Sequence, residues 1–92
     1  MMDPDDKEKI RAVAERYGAR NIRIFGSCAR GDGRPDSDID LLVDLEPGRT
    51  LIDLIAIQQD LEDLLGRKVD VVTERGLSKY IKDKILADAV PL

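Results

Sequence analysis

Apolar side chains fall at Ile10, Val13, Ala14 and Tyr17, the spacing of one face of a helix. Asp3 offers a cap, Pro4 suits the first helical position and Asp5 and Asp6 put acids in the first turn, so the helix begins there and Gly18 ends it. The period then changes. Asn21 to Phe25 alternates polar and apolar residues through Ile22 and Ile24, which predicts a first strand stopping at Gly26. Ser27 to Arg30 has room for one helical turn, residues 31 to 36 are dense in turn formers and predict an exposed loop, and Asp38 to Asp44 reads as a second strand. Beyond Pro47-Gly48, Thr50 caps a helix whose Leu51, Leu54, Ile57, Leu61, Leu64 and Leu65 form a wide apolar face, closed by Gly66. Lys68 to Val72 is β-branched enough for a third strand, residues 74 to 77 form a turn, and Ser78 caps a last helix with Leu77, Ile81, Ile85 and Ala89 recurring every four residues before Pro91.

The short connection between the first two strands predicts an antiparallel pair, and the helical crossover to the third predicts a parallel, right-handed return. The expected fold class is α+β: a mixed three-stranded sheet with about four flanking helices. With 92 residues the chain has room for one domain, expected to span residues 1–92, and no repeat, low-complexity run or linker interrupts it. Tyr80, on the last helix, is expected to pack.

Composition narrows the chemistry. Fifteen Lys plus Arg against nineteen Asp plus Glu give a net charge of −4, which argues against a chain that wraps nucleic acid by neutralising phosphates. Tyr17, Phe25 and Tyr80 are too few aromatics for a single-strand stacking surface. The scattered Arg20, Arg23, Arg30 and Arg34 have a solvated face as their ordinary reading and a phosphate site as the alternative. One cysteine, Cys28, cannot form an internal disulfide, and no apolar run approaches the roughly 20 residues of a membrane span or the layout of a signal peptide. The expected location is cytoplasmic. No histidine is present, so imidazole triads and imidazole metal sites are excluded, and catalysis must use carboxylates, hydroxyls, Lys or Arg.

The carboxylates supply the strongest signal. Side chains two apart on a strand share a face, so Asp38 and Asp40 point the same way with Cα atoms roughly 6.6 Å apart, while Ile39 and Leu41 take the other face. Any half-exposed strand alternates in this manner. Asp70, however, interrupts Val69 and Val71-Val72 in a run that reads as buried, where an ionised carboxylate needs a partner: a neighbouring cation, a basic side chain or solvent at an edge. Three acids on adjacent strands would repel, and bound divalent cations relieve that repulsion. Hard oxygen ligands suit Mg²⁺ or Mn²⁺ rather than zinc, and two such ions about 4 Å apart suit phosphoryl or nucleotidyl transfer. An EF-hand is rejected, because Leu41 stands at the sixth position and Pro47 at the twelfth.

Gly26 allows a ligand to approach the backbone, and a helical turn starting at Ser27 would direct N–H groups and a hydroxyl at phosphate oxygens, with Arg30 adding a charge-assisted contact. A plain strand-ending turn is the ordinary reading of the same residues. Gly26 and Gly31 have the spacing of a Walker loop, but Asp32-Gly33 stands where Lys and Ser or Thr are required, and the dinucleotide glycine pattern also fails.

Together, Gly26-Ser27-Cys28-Ala29-Arg30-Gly31, Ser37-Asp38-Ile39-Asp40-Leu41-Leu42-Val43 and Asp70 in its β-branched run resemble the nucleotidyltransferases of the DNA polymerase beta superfamily. The layout is similar to the minimal nucleotidyltransferase (MNT) group from about Ile10 to the end. The resemblance implies the polymerase beta-like palm fold, with Gly26 and Ser27 holding a nucleoside triphosphate and Arg30 at a motif position. It implies Asp38, Asp40 and Asp70 as ligands of two Mg²⁺ ions, with Asp70 also helping to activate the acceptor hydroxyl. Cys28 falls at a variable position and is given no chemistry. The implied partner is a HEPN-family ribonuclease toxin, the implied activity transfer of AMP from ATP to a toxin tyrosine, and the alternative an antitoxin that neutralises its toxin by binding alone. Transfer to RNA or to a small drug hydroxyl fits the motif but not the composition.

Overall fold

The computed structural model describes residues 3–31 and 38–92. The elements are α1 (Pro4–Arg16), β1 (Ala19–Phe25), α2 (Ser27–Arg30), β2 (Ile39–Leu45), α3 (Leu51–Leu65), β3 (Val69–Thr73), a 3₁₀ turn (Glu74–Gly76), α4 (Lys79–Asp88) and β4 (Val90–Pro91). Apart from Gly31, the loop expected over residues 31 to 36 lies outside the described residues.

Local signals set the helix ends. The Asp3 carboxylate accepts from the Asp5 N–H at 3.0 Å, with Pro4 opening α1. At α3 the caps are reciprocal: the Thr50 hydroxyl accepts from the Ile52 N–H at 3.2 Å and the Asp53 carboxylate accepts from the Thr50 N–H at 2.8 Å. Thr50→Ala removes one half of this box and is expected to cost about 1 kcal/mol, read as a lower denaturant midpoint at unchanged slope. Ser78 occupies the cap position of α4 but makes no side-chain cap bond.

The sheet runs β3-β2-β1-β4, with β1 and β2 antiparallel and β2 and β3 parallel across α3, as the connection lengths require. The fourth strand is an addition to the three expected. Val90 and Pro91 pair with Ile24 and Arg23, and the Leu92 N–H donates to the Ile22 carbonyl at 3.1 Å. Pro91 therefore belongs to an edge strand, a place where a missing N–H costs little, while α4 ends earlier at Asp88. β1 also starts two residues before the expected Asn21, and its register with β2 shifts between Arg20 and Arg23, where Asn21 has φ +49°.

Residues paired across strands share a face. Ile24, Leu41 and Val71 are such a row, and with Ile39, Val43 and Val69 they form one buried side of the sheet. Ile10, Val13 and Ala14 of α1 and Ile57 and Leu61 of α3 belong to the same core. Leu51 and Leu64, expected in the apolar face of α3, are 68% and 49% exposed; they lie in the first and last turns of the helix, away from the buried Ile57 and Leu61. α3 also protects the outer edge of β3, since Glu62 accepts from the Val69 N–H at 3.0 Å and Gln58 from the Val71 N–H at 3.3 Å. α1 and α3 are joined by a hydrogen bond from the Tyr17 hydroxyl to the Asp60 carboxylate at 2.6 Å, which raises the phenol's pKa above its ordinary value.

Candidate active site

The other face of the sheet carries the acids. In the register, Phe25 of β1 is paired with Asp40 of β2, and Asp40 with Asp70 of β3, so the three side chains form a row across the sheet. Neighbouring strands lie about 4.8 Å apart, which sets the two carboxylates side by side. Asp38 stands just before β2, two residues from Asp40, and is exposed, whereas Asp40 and Asp70 are half-buried. Leu42 follows Asp40 on this face and is fully buried, separate from the core beneath α1 and α3.

Charge and burial act together on Asp40. Its pKa is raised above the usual carboxylate range, first by burial, then by the charge of Asp70 and then by that of Asp38, with Lys68 pulling the other way. That ordering places both other acids within the field of Asp40. Among the described residues no three metal-ligating side chains are drawn tightly together, so the acids share a face and a field rather than a common centre.

The glycine turn touches this row. Gly26 has φ +76° and ψ −153°, and a Cβ built on it would stand 2.5 Å from Oδ2 of Asp40. The carboxylate thus rests on bare backbone, and the glycine is required twice, by conformation and by contact. Its carbonyl accepts from the Ala29 and Arg30 N–H groups at 3.1 and 3.2 Å, opening the single turn of α2 that closes at Gly31. Ser27 is the first helical residue, where N–H groups have no carbonyl a turn earlier within the helix.

Arg30 points toward α4, its guanidinium donating to Asp88 at 2.7 Å. Arg20 pairs with Glu46 at 3.0 Å. Arg23 departs from the scattered, solvated set in which the sequence placed it. Its side chain is only 12% exposed and lies between Asp44 at 3.4 Å and Glu74 at 3.5 Å, and Glu74 in turn meets Lys82 of α4 at 3.5 Å. These pairs link β2, β1, the 3₁₀ turn and α4. Arg34 lies outside the described residues. Cys28 is half-buried, with Sγ 3.6 Å from the Asp38 carbonyl and 3.6 Å from the Arg67 guanidinium, so it links α2 to the start of β2.

Two residues near the row were not assigned to it from sequence. Phe25 enters through its register with Asp40, which only the position of the β1 irregularity fixes. Tyr80, expected to pack, is 91% exposed, because α4 buries none of its residues fully. No helix among the described residues is long and apolar enough to cross a membrane.

Comparison with known proteins identifies the family and the fold. The nucleotidyltransferase domain family model matches residues 7–92. The protein adenylyltransferase MntA of Thermococcus cleftensis is 41% identical over 78 residues, covering 85% of this chain and 79% of that one. A solved structure provisionally described as a minimal nucleotidyltransferase is 46% identical, with a TM-score of 0.85 over 96% of this chain and 90% of that one. At 22% identity and a TM-score of 0.76, over 98% of this chain and 71% of the other, the fold is also that of a chain in the complex of a tri-AMPylated Shewanella oneidensis HEPN toxin with its MNT antitoxin. With Asp40 and Asp70 in register, Asp40 against the glycine turn and the family match spanning nearly all its length, the chain belongs to the nucleotidyltransferase domain family and is an enzyme of that class.

Proposed function

We propose that this enzyme is a cytoplasmic antitoxin that transfers AMP from ATP to a tyrosine hydroxyl of a HEPN-type toxin. The observation that carries the reading is the Asp40–Asp70 pair in parallel register, with Asp40 lying against Gly26. The donor set fits Mg²⁺ or Mn²⁺: it is all carboxylate oxygen, and the pKa of Asp40 is raised by burial first and then by the charges of Asp70 and Asp38, both of which a bound cation would offset. Asp38, Asp40 and Asp70 would hold the ions, two by the number of acids and the reaction class. When bound, such cations neutralise charge on the transferring phosphate.

The chain's own groups account for the remaining steps. Gly26 leaves the backbone open, and the Ser27 N–H and hydroxyl hold triphosphate oxygens. Arg30 can reach the phosphates by sharing or leaving its ion pair with Asp88. The acceptor oxygen attacks the α-phosphorus in line, the new P–O bond forms as the bond to pyrophosphate breaks, and the acceptor proton passes to Asp70. The names of the relatives support the acceptor class: one is a protein adenylyltransferase, and the fold recurs in a complex with an AMPylated HEPN toxin.

ATP labelled at the α-phosphate, incubated with Mg²⁺, this chain and a HEPN-type partner, is expected to label the partner on tyrosine, whereas γ-labelled ATP is not. An unlabelled partner would overturn transfer. If an Asp38→Ala, Asp40→Ala variant then protects cells as well as the parent, neutralisation is by binding alone.

A further inference from the structure

Between the end of β1 and α4 lies a cavity of about 790 Å³, within the size range of small-molecule sites. Phe25, Tyr80, Ile81 and Ile85 give it an apolar wall, and the Arg30–Asp88 ion pair lines it as well. Phe25 occupies two positions of interest at once, being the residue before Gly26 and the partner of Asp40 in the row of acids. The cavity therefore adjoins the phosphate and metal side of the proposed site without containing any of its three acids.

A nucleoside triphosphate is built the same way, charged at one end and carrying at the other a planar aromatic base whose faces stack on apolar side chains. We infer that this cavity is the nucleoside subsite, in which the base stacks against Tyr80 and Phe25 while the phosphates lie over Gly26 and Ser27. The inference rests on the function proposed above and adds to it the residues that hold the base. Tyr80 is 91% and Ile81 52% exposed, so a large aromatic and its apolar neighbour are presented to solvent at the cavity wall, where a stacked base would cover them. Two ion pairs, Arg30–Asp88 at the cavity and Lys82–Glu74 elsewhere on the helix, fasten α4 despite its lack of a buried face. Every base has a π-face, so this wall sets affinity for the nucleoside rather than the choice of base.

Titration calorimetry of the full chain with the Mg²⁺ complexes of AMP-PNP and of tripolyphosphate separates the two ends of the ligand. Tyr80→Ala is expected to bind AMP-PNP about tenfold more weakly and tripolyphosphate as the parent does, with Tyr80→Phe restoring the AMP-PNP affinity. Because Tyr80 is exposed, neither variant disturbs the core. Unchanged AMP-PNP binding in Tyr80→Ala would overturn the subsite and leave this face of α4 to a protein partner. Equal loss of both ligands would also overturn it, by showing that α4 acts on the phosphate end. A parent that binds neither ligand would instead refute the nucleotide-transfer reading itself, and the subsite with it.

Discussion

Asp40→Asn is expected to lower nucleotidyl transfer by about 1,000-fold or more while raising the melting temperature of the metal-free protein at neutral pH. The loss follows from the position of Asp40 at the middle of the row, between Asp70 in register and Asp38 two residues away. Removing its charge withdraws one of the proposed cation ligands, and the charge stabilisation a bound cation gives the transition state is worth several kcal/mol, with about 1.4 kcal/mol per factor of ten in rate. The gain in stability follows from the sign of the pKa shift. Asp40 is raised in the folded protein, by burial first and then by its acidic neighbours, above an unfolded value near about 3.9. Its contribution to stability is therefore fully present below that unfolded value and is lost as pH rises through the folded one. Above its folded pKa the ionised carboxylate destabilises the metal-free fold. Asparagine is nearly isosteric, so the contact with Gly26 survives while the charge does not. Melts in EDTA at pH 7.5 and below pH 4 check the sign: the variant should exceed the parent at the higher pH, and the difference should shrink at the lower. A variant that melts below the parent at pH 7.5, or that keeps its activity, would contradict this account of the row.

What could be read in advance was local or periodic. Asp3 and Pro4, Thr50 and Gly66 mark helix ends by their own chemistry, and the apolar period of α3 needs no knowledge of its neighbours. Asp38, Asp40 and Asp70 stood out because acids interrupt apolar strands, and the parallel return of β3 then brings Asp70 beside Asp40. Features that depend on distant partners were not legible. β4 is two residues long and exists only by pairing with β1, so Pro91 looked like a helix stop. Arg23 is covered by side chains from positions 44 and 74, and Arg30 is turned toward α4 by Asp88, 58 residues away. The place of Phe25 in the row depends on the β1 irregularity, since a one-residue slip would turn it to the opposite face.

Gly26→Ala should damage stability and transfer together, and Gly31→Ala separates the two causes. Both glycines have positive φ, +76° and +80°. At Gly26 the accompanying ψ of −153° belongs to a region almost confined to glycine, costing another residue roughly 1–3 kcal/mol. For a domain this small, 1 kcal/mol moves the melting temperature by about 4–8 °C, so the variant should melt lower by roughly 10 °C. Its methyl group would also stand 2.5 Å from the Asp40 carboxylate, which must move away from the row. A displacement of about 1 Å in such a site can cost about 100-fold in rate, and transfer measured well below the melting range should fall by at least that much. Gly31 is left-handed with ψ near 7°, and a Cβ there meets nothing within 4 Å. Gly31→Ala therefore carries only a backbone cost of roughly 1–2 kcal/mol and should keep most of its transfer rate. If the two variants lose activity equally, the contact between Gly26 and Asp40 has no part in catalysis and backbone strain alone explains both. If only Gly26→Ala loses it, the glycine is required for the room it leaves the carboxylate.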